Sequence, residues 1–359
     1  MSTIRIRKGM PDVSLGRGEF ELRHRELFYD PAFELKEREV SALTEIAWDA
    51  YDNSRKSPIT QKAGPGFADP DYDMSVEWLS ASKAIAQAQG RQSDPSSPPR
   101  ILLINGSMRS DQTCPGEISK SWRLLEIARE TIAVDSAVEI EVLDLSRLTS
   151  EFGRNIHPCK SCVSTAMPLC HWPCSCYPNH SLGQINDWMN DIYPMWVAAH
   201  GIMIVTPVNW YQAPSGLKAM IDRLVCADGG NPDPTSTGGK DAAKAKKLEL
   251  ADWPYPRHLA GRAFSIVVHG DSTGVDALSG SLSSWLEDMG LLAAGHHSEL
   301  ARYIGYYGSY AESHDALDDD EAIQQEVRLA ATSLAEAVKL LRSGEFPQPG
   351  EKLKSPRPK

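Results

Sequence analysis

The chain has 359 residues, of which 41% are hydrophobic, so it is long enough for one large α/β domain with an extension or for two modest domains. Its formal net charge of −11 at pH 7 argues against nucleic-acid binding, which requires a cationic surface. The sequence contains no apolar run near the ~20 residues that span a bilayer, and its first residues lack the apolar segment of a secretory signal. We therefore expect a cytoplasmic protein without a membrane span.

Residues 1–98 are charged and punctuated by prolines, without regular alternation of strands and helices. Apolar spacing predicts one helix over Leu35–Asn53 and a second over Met74–Gln89. The predicted buried face of the first helix comprises Val40, Leu43, Ile46 and Ala47. Gly90–Arg100 has the composition of a linker. We expect residues 1–98 to form a partly helical extension that packs on the core or on a second subunit, with a substrate lid as the alternative.

From Arg100 onward the sequence alternates strands and helices, as in a doubly wound parallel sheet. Strands are predicted at Ile101–Ile104, Val138–Leu145, Gly201–Thr206, Arg262–His269 and, more briefly, Leu291–His296. Helices are predicted around Trp122–Ile132, Leu182–His200, Leu217–Leu224, Leu278–Met289 and Asp320–Arg342, with Gly344 ending the last. This pattern predicts an α/β domain with a five-stranded parallel sheet over residues 99–345, followed by a flexible tail at 346–359.

The loop Gly106–Pro115 follows the first strand and precedes a helix, a place where proteins seat phosphates. It contains neither G-x-G-x-x-G nor G-x-x-x-x-G-K-[ST], so it lacks the dinucleotide and Walker fingerprints. Its hydroxyls and its guanidinium suit a terminal phosphate monoester. The residues concerned are Ser107, Arg109, Ser110 and Thr113. The alternatives are helix capping by Ser107 and Thr113 and a surface ion pair for Arg109.

Two further loops, Pro207–Pro214 and Gly270–Gly274, follow strands at the same edge of the predicted sheet, where ligands of open α/β folds bind. The first offers Trp210 and Tyr211 beside a flat ring, unless these are ordinary packing aromatics. The second brings its backbone against the polar edge of that ring. His269 ends the fourth strand and either donates to the ligand or is structural.

GSMR after the first strand, TPVNWYQAPSGLKAMIDRL after the third and VVHG before the last of these loops together resemble the flavodoxin-like NAD(P)H-dependent FMN reductase family. The resemblance covers about Arg100 to Gly344. It implies that the first loop holds the FMN phosphate, that Pro207–Tyr211 line the isoalloxazine, and that Gly270–Gly274 close its far side. The cofactor-binding residues expected beyond the first loop are Pro207, Val208, Asn209, Trp210, Tyr211, His269, Gly270, Asp271, Ser272 and Gly274.

The resemblance further implies an FMN-dependent oxidoreductase that takes hydride from NAD(P)H. The electrons would go to a quinone, free flavin, nitro compound, metal ion or bound iron–sulfur centre. Because the flavin carries this chemistry, no catalytic side chain is expected. The partner is a small-molecule acceptor or a redox protein, and the extension and an insertion at 226–258 suggest a homo-oligomer. The alternatives are an electron carrier between partner proteins and a zinc-stabilised, non-catalytic binding protein.

The loop at 157–180 has a metal-like density of thiols in the pattern C-x2-C-x7-C-x3-C-x-C. The cysteines are Cys159, Cys162, Cys170, Cys174 and Cys176. The loop resembles the cysteine motif of iron–sulfur flavoproteins, although that motif is more tightly spaced and has one cysteine fewer. We expect a [4Fe–4S] cluster; zinc, free redox-active thiols and buried structural cysteines are the alternatives.

Overall fold

The structure, a computed structural model, describes residues 13–113, 116–271, 273–306, 308–309 and 312–347. The chain forms two compact units, one comprising Met1–Pro58 with Tyr177–Ile185 and the other Ile59–Cys176 with Asn186–Lys359. Of the described helices, none is both long and apolar enough to cross a membrane. Most of the expected tail at 346–359 lies outside the described residues.

The first unit contains α1 (Arg17–Arg25) and α2 (Glu37–Asp52). The helix expected over Leu35–Asn53 is thus confirmed, but its buried face is not the predicted one. Val40 and Thr44 are buried, whereas Leu43 and Ile46 are exposed. Within this unit α2 packs on α1, and Phe20 of α1 contacts the rings of Trp48 and Tyr51 in α2. The buried face of α2 is therefore rotated about the helix axis relative to the predicted face.

The second unit begins with a short antiparallel pair, β1 (Thr60–Lys62) and β2 (Asp73–Ser75), and continues into α3 (Val76–Ser93). The predicted second helix is confirmed, and it extends into the expected linker. Because α3 packs on a later helix of the sheet domain, it belongs to this unit. The compact units therefore divide the chain differently from the expected boundary at residue 98.

A parallel sheet forms the centre of the second unit, with the strands β3 (Arg100–Asn105), β4 (Glu139–Asp144), β5 (Gly201–Pro207), β6 (Ala263–Gly270), β7 (Leu292–Ala293) and β8 (Glu299–Tyr303). Their order is β4-β3-β5-β6, after which β7 and β8 both pair with β6. This is the flavodoxin-like order 2-1-3-4-5, with two short segments sharing the fifth position. The predicted fold class is confirmed, and the fifth strand is split.

The remaining helices are α4 (Lys120–Ala133), α5 (Arg147–Ser150), α6 (Met189–Ala198), α7 (Ser215–Arg223), α8 (Ala242–Leu250), α9 (Val275–Asp288), α10 (Glu312–Asp319) and α11 (Glu321–Ser343). Residues of α3, α6, α7 and α9 share one apolar core with Leu102 and Ile104 of β3. Residues of α4 and α11 share the other core with Ile101 and Leu103. Successive residues of the strand thus face opposite layers, which explains its unbroken apolar run.

The last helix matches its predicted bounds closely. Asp320 caps the start of α11 by accepting the Ile323 N–H at 3.1 Å. Gly344 ends it with a left-handed φ of 74°. By contrast, α6 begins at Met189, seven residues later than expected, after a left-handed residue at Asn186. Pro194 lies inside α6, which runs from Met189 to Ala198 as one helix.

The insertion at 226–258 is an ordered structure that packs on the cysteine-rich loop. It contains α8 and a short 3-10 turn at Pro234–Thr237. His171 Nε2 lies 3.0 Å from Thr237 Oγ1, and the Trp172 N–H donates to the Asn231 carbonyl at 2.8 Å. The two irregular segments are therefore joined by hydrogen bonds.

We expect Gly201→Ala to destabilise the sheet domain by about 1–3 kcal/mol, because the added Cβ would overpack the contact between β5 and α11. It would lie 2.5 Å from Val338 Cγ2 and 3.0 Å from Leu334 Cδ1. The matched control is Gly280→Ala within α9, where nothing lies within 4 Å of the new Cβ. That change should stabilise the helix by about 0.5–1 kcal/mol. Urea unfolding of both variants measures the difference, and equal midpoints would contradict the close packing.

Candidate functional site

The three loops singled out in the sequence meet at the carboxyl edge of the sheet, beyond β3, β5 and β6. They surround a cavity of about 390 Å³. The residues lining it are Ser107, Met108, Arg109, Thr113, Ser119, Lys120, Ser121, Pro207, Val208, Asn209, His269, Gly270, Asp271 and Ile304. The largest part of this lining comes from the loop after β3 and the start of α4.

The start of the first loop is held by its own side chains. Asn105 Nδ2 donates to Asp144 Oδ1 at 2.7 Å, and Asn105 Oδ1 accepts the Ser107 N–H at 3.2 Å. Ser107 Oγ in turn accepts the Arg109 N–H at 3.1 Å. These bonds fix the backbone that carries Arg109 into the cavity. Ser110 is not among the lining residues; its carbonyl accepts a 2.6 Å hydrogen bond from Thr113 Oγ1, which does line the cavity.

Gly106 permits β3 and β5 to approach closely where the loops begin. A Cβ at this position would lie 2.6 Å from Thr206 Oγ1 and 2.9 Å from Leu217 Cδ2. Only a residue without a side chain fits there, because both neighbours are packed into the sheet and α7. The separation of the first two loops is thereby fixed.

Lys120 is a component of the site that the sequence analysis missed. It occupies the first turn of α4, after the capping residue Ser119, and is only 8% exposed. Burial lowers the pKa of Lys120, Asp271 opposes the shift, and Arg109 reinforces it. A cation at a helix N-terminus is electrostatically unfavourable unless an anion accompanies it. Lys120 and Arg109 thus place two cations in one cavity wall, with the Asp271 carboxylate also in the lining. A lysine within the first helical turn was the signal that the sequence offered.

The second loop contributes its first three predicted residues, Pro207, Val208 and Asn209, to the cavity wall. Asn209 and Gln212 exchange two backbone hydrogen bonds of 2.9 Å each, closing a tight turn. Both central residues have positive φ, 48° for Trp210 and 65° for Tyr211. Their side chains are 93% and 57% exposed and do not line the cavity. The turn directs both side chains outward, and their place beside the ring stays a prediction.

The third loop closes the cavity with His269, Gly270 and Asp271, while the predicted Ser272 lies outside the described residues. Gly274 is not in the lining; with a φ of 110° it packs against Tyr211, where a Cβ would approach Cδ1 to 2.8 Å. Thr273 Oγ1 donates to the Tyr211 hydroxyl at 2.7 Å. The second and third loops are therefore in direct contact. Ile304, which follows the unpredicted strand β8, completes the wall.

His269 is a buried neutral side chain in the cavity wall. Its Nε2 lies 2.7 Å from Ser121 Oγ. Burial lowers the pKa of His269 to about 3, and the charge of Lys120 contributes in the same direction. At neutral pH this imidazole carries no charge, so it orients Ser121 without adding a third cation.

The cysteines of the predicted metal site are not gathered into one. Cys162 Sγ and Cys176 Sγ lie 3.4 Å apart, and Lys240 Nζ donates to them at 3.2 and 3.3 Å. The hydrogen bond with Cys176 and the charge of Lys240 lower the pKa of Cys162 to about 6. Burial raises the pKa of both Cys159 and Cys170.

Cys174 and Cys226 complete the described thiols. The hydrogen bond with Cys176, followed by burial, raises the pKa of Cys174, and burial raises that of Cys226. In the part of the chain that the structure describes, no group of three or more histidine, cysteine or acidic side chains has a metal-binding arrangement. The Lys240 ammonium group also contacts two of the sulfurs, where it would repel a metal cation. The donor set as placed therefore does not fit an iron–sulfur or zinc centre, and the metal-site prediction has no structural support.

The low pKa of His269 predicts a specific loss of stability in acid. As the pH is lowered below 6.5, the histidine is protonated in the unfolded protein, whereas in the folded protein it stays neutral until about pH 3. The free energy of unfolding therefore decreases as the pH is lowered through this window. The contribution approaches about 1.4 kcal/mol per pH unit. We expect His269→Asn to reduce the pH dependence of the free energy of unfolding between pH 6 and pH 4.5 by about the contribution of one histidine. Urea unfolding at several pH values measures it. His297→Asn, a change at an exposed histidine, is the control and should leave the slope unchanged. An unaltered slope in the first variant would show that His269 titrates normally.

The family model of NADPH-dependent FMN reductases matches residues 99–297. Similar solved structures include RosB with a bound 8-demethyl-8-formylriboflavin-5'-phosphate intermediate, at 15% identity over 69% of this chain and 82% of that one, with a TM-score of 0.48. They also include an NADH:FMN oxidoreductase in its apo form, at 16% identity over 70% and 92% of the two chains and a TM-score of 0.35. An FMN-dependent NADH-azoreductase from Bacillus anthracis has 15% identity over 66% and 99%, with a TM-score of 0.35.

No curated protein of similar sequence was found. The identification rests on the family model, which spans more than half of the chain and covers the first two loops, the third loop and the sheet between them. This chain belongs to the NADPH-dependent FMN reductase family, whose members are FMN-dependent oxidoreductases using NAD(P)H.

Proposed function

We propose that this protein binds FMN in the cavity between the three loops and transfers electrons from NAD(P)H to a small planar acceptor such as a quinone, a free flavin or a nitro compound. The observation that carries the proposal is the pair of cations, Arg109 and Lys120, in the wall of a cavity whose other described lining residues are apolar or neutral apart from the Asp271 carboxylate. A molecule with a dianionic phosphate at one end and a neutral ring at the other suits this distribution of charge.

The residues present fit FMN by the chemistry of their donors. Arg109 and Lys120 would bind the phosphate, with the hydroxyls of Ser107 and Thr113 beside them and the first turn of α4 behind. Pro207–Asn209 and Gly270–Asp271 would lie along the ring. Binding a dianion would also offset the electrostatic cost of burying Lys120 beside Arg109.

When bound, FMN supplies the redox chemistry, accepting hydride from NAD(P)H and returning the electrons to an acceptor. The chain itself would bind and orient the cofactor. The self-bonded loop from Asn105 to Arg109 keeps the phosphate contacts in place before the ligand arrives. His269, neutral and bonded to Ser121, adds no charge to the cavity wall. We assign no protein acid or base.

The acceptor class is suggested by the surface beside the cavity. Trp210 adjoins the lining residue Asn209 and presents an almost fully exposed indole. A large exposed aromatic beside a ligand cavity offers a stacking surface for a planar molecule. A hydrated metal ion gains less from such a surface.

The electron-carrier and zinc-protein alternatives depended on the cysteine cluster. Since the described cysteines do not have a metal-binding arrangement, nothing in their placement favours either role. Steady-state oxidation of NAD(P)H with a small acceptor separates an enzyme from a carrier, because a carrier needs its partner reductase. A purified protein that stays colourless after FMN reconstitution would contradict the proposal.

Arg109→Ala and Lys120→Met should each weaken FMN binding by about 10- to 100-fold, because each removes a charge-assisted contact to the phosphate. Lys218→Met, a change at an exposed lysine of α7, is the matched control. Flavin fluorescence titration gives the dissociation constants; a wild-type affinity in both site variants would exclude this wall as the phosphate site.

Trp210→Ala should raise KM for a quinone several-fold while leaving kcat and FMN content unchanged, because it removes stacking without touching the cavity wall. Ferricyanide is the control acceptor, since it is not planar and cannot stack. Steady-state kinetics with both acceptors measure the split. An equal effect on the two acceptors, or none on either, would reject the assignment of Trp210 to acceptor binding.

A further inference from the structure

Cys162, Cys176 and Lys240 form a compact group whose function the flavin site does not explain. The two sulfurs are in contact at 3.4 Å although fourteen residues separate them in the chain. Lys240 reaches them from the insertion, at 3.2 and 3.3 Å, and also donates to the Leu169 carbonyl at 3.3 Å. The group is therefore assembled from two separate segments of the chain.

We propose that Cys162 and Cys176 are a redox-active dithiol, which low-molecular-weight disulfides oxidise to an intramolecular disulfide. The proposal does not depend on the flavin site. The two sulfurs need to close by about 1.4 Å to reach a disulfide bond length. Such a movement is small for two side chains on irregular loops.

The positions of the two cysteines assign them different steps. Cys162 is half-buried and open to a small reagent, whereas Cys176 is only 6% exposed. The ammonium group of Lys240, in contact with both sulfurs, favours the thiolate, which is the attacking species. Cys162 is thus the attacking thiol and Cys176 the resolving one.

The exchange balances without any further reactant. The Cys162 thiolate attacks one sulfur of a disulfide RSSR, forming a mixed disulfide and releasing RS⁻. Cys176 then attacks the Cys162 sulfur, forming the Cys162–Cys176 bond and expelling the second RS⁻. The proton of the Cys176 thiol and one from solvent leave both products as RSH. Two protein thiols are oxidised, and one small disulfide is reduced to two thiols.

The same contacts argue against the other uses of these thiols. A metal cation bound by both sulfurs would lie beside the Lys240 ammonium group, which would repel it. Cys174 also shares a hydrogen bond with Cys176, but it stands only two residues away in the chain, and the hydrogen bonds described for Lys240 go to Cys162, Cys176 and the Leu169 carbonyl. Cys162 and Cys176 are therefore the two cysteines to which the lysine donates hydrogen bonds.

The test uses the full-length, FMN-loaded protein in buffers with graded ratios of oxidised to reduced glutathione. Acid quenching, alkylation of free thiols and peptide mass spectrometry identify the pairs formed. We expect a Cys162–Cys176 disulfide that reverts on addition of reduced glutathione. Cys176→Ser should instead trap glutathione on Cys162, and Lys240→Met should slow that reaction several-fold.

Cys159→Ser, a change at a half-buried cysteine of the same loop, is the control and should leave disulfide formation unchanged. Three outcomes would overturn the proposal: preferential pairing of Cys174 with Cys176, no disulfide at any glutathione ratio, or stoichiometric zinc or iron that protects these thiols from alkylation. Cys162→Ser should form no disulfide with residue 176. Should that variant fail to fold, the trapping result with Cys176→Ser still decides the matter.

Discussion

The parallel pairing of β3 with β5 is the contact on which the candidate site depends. Both strands are buried on both faces, and their residues alternate between the two helical layers, so neither can shift by one position without moving apolar side chains into the wrong layer. Gly106 brings their ends so close that no side chain fits between. The loops that leave these ends therefore begin at a fixed separation, and the cavity between them does not rely on flexible segments for its shape.

Charge is distributed unequally around that cavity. Arg109 and Lys120 provide two cations at one wall, while His269, the obvious third candidate, is kept neutral by burial. Such an arrangement costs stability in the free protein, because Lys120 lies at the positive end of a helix with a neighbouring guanidinium. Binding sites are commonly less stable in the free protein for this reason, because the same charges raise the affinity for the ligand. Here the destabilisation is confined to the first turn of one helix.

The sequence predicted those features that depend on local apolar pattern. The runs that became β3, β5 and β6 are buried on both sides, and the stripe of α11 has one unambiguous face and strong caps at Asp320 and Gly344. The strand β8 escaped prediction because its residues are mostly polar and only Leu300 is buried, so its pairing with β6 is dictated by the sheet and not by its own composition. The predicted start of α6 lies too early in the chain, because the spacing of apolar residues does not reveal a turn such as the one at Asn186.

The positions of side chains around the site were harder to predict than the loops that carry them. The direction of Trp210 and Tyr211 depends on two positive φ angles that no sequence periodicity reveals. Lys120 enters the cavity because α4 starts at residue 120, several residues after the expected end of the loop. In the cysteine-rich loop, thiol spacing along the chain was a poor guide, because the residue that organises two of the sulfurs, Lys240, comes from a distant insertion.

The split fifth strand also bears on how copies of this protein can associate. An exposed sheet edge is a template for adding strands from another chain, and long apolar edges are prone to aggregation. Here one edge is divided between the two-residue β7 and the five-residue β8, and the opposite edge, β4, carries Glu139 and Glu141. Both edges thus discourage a continuous sheet across two molecules, which leaves helical and loop surfaces for any assembly.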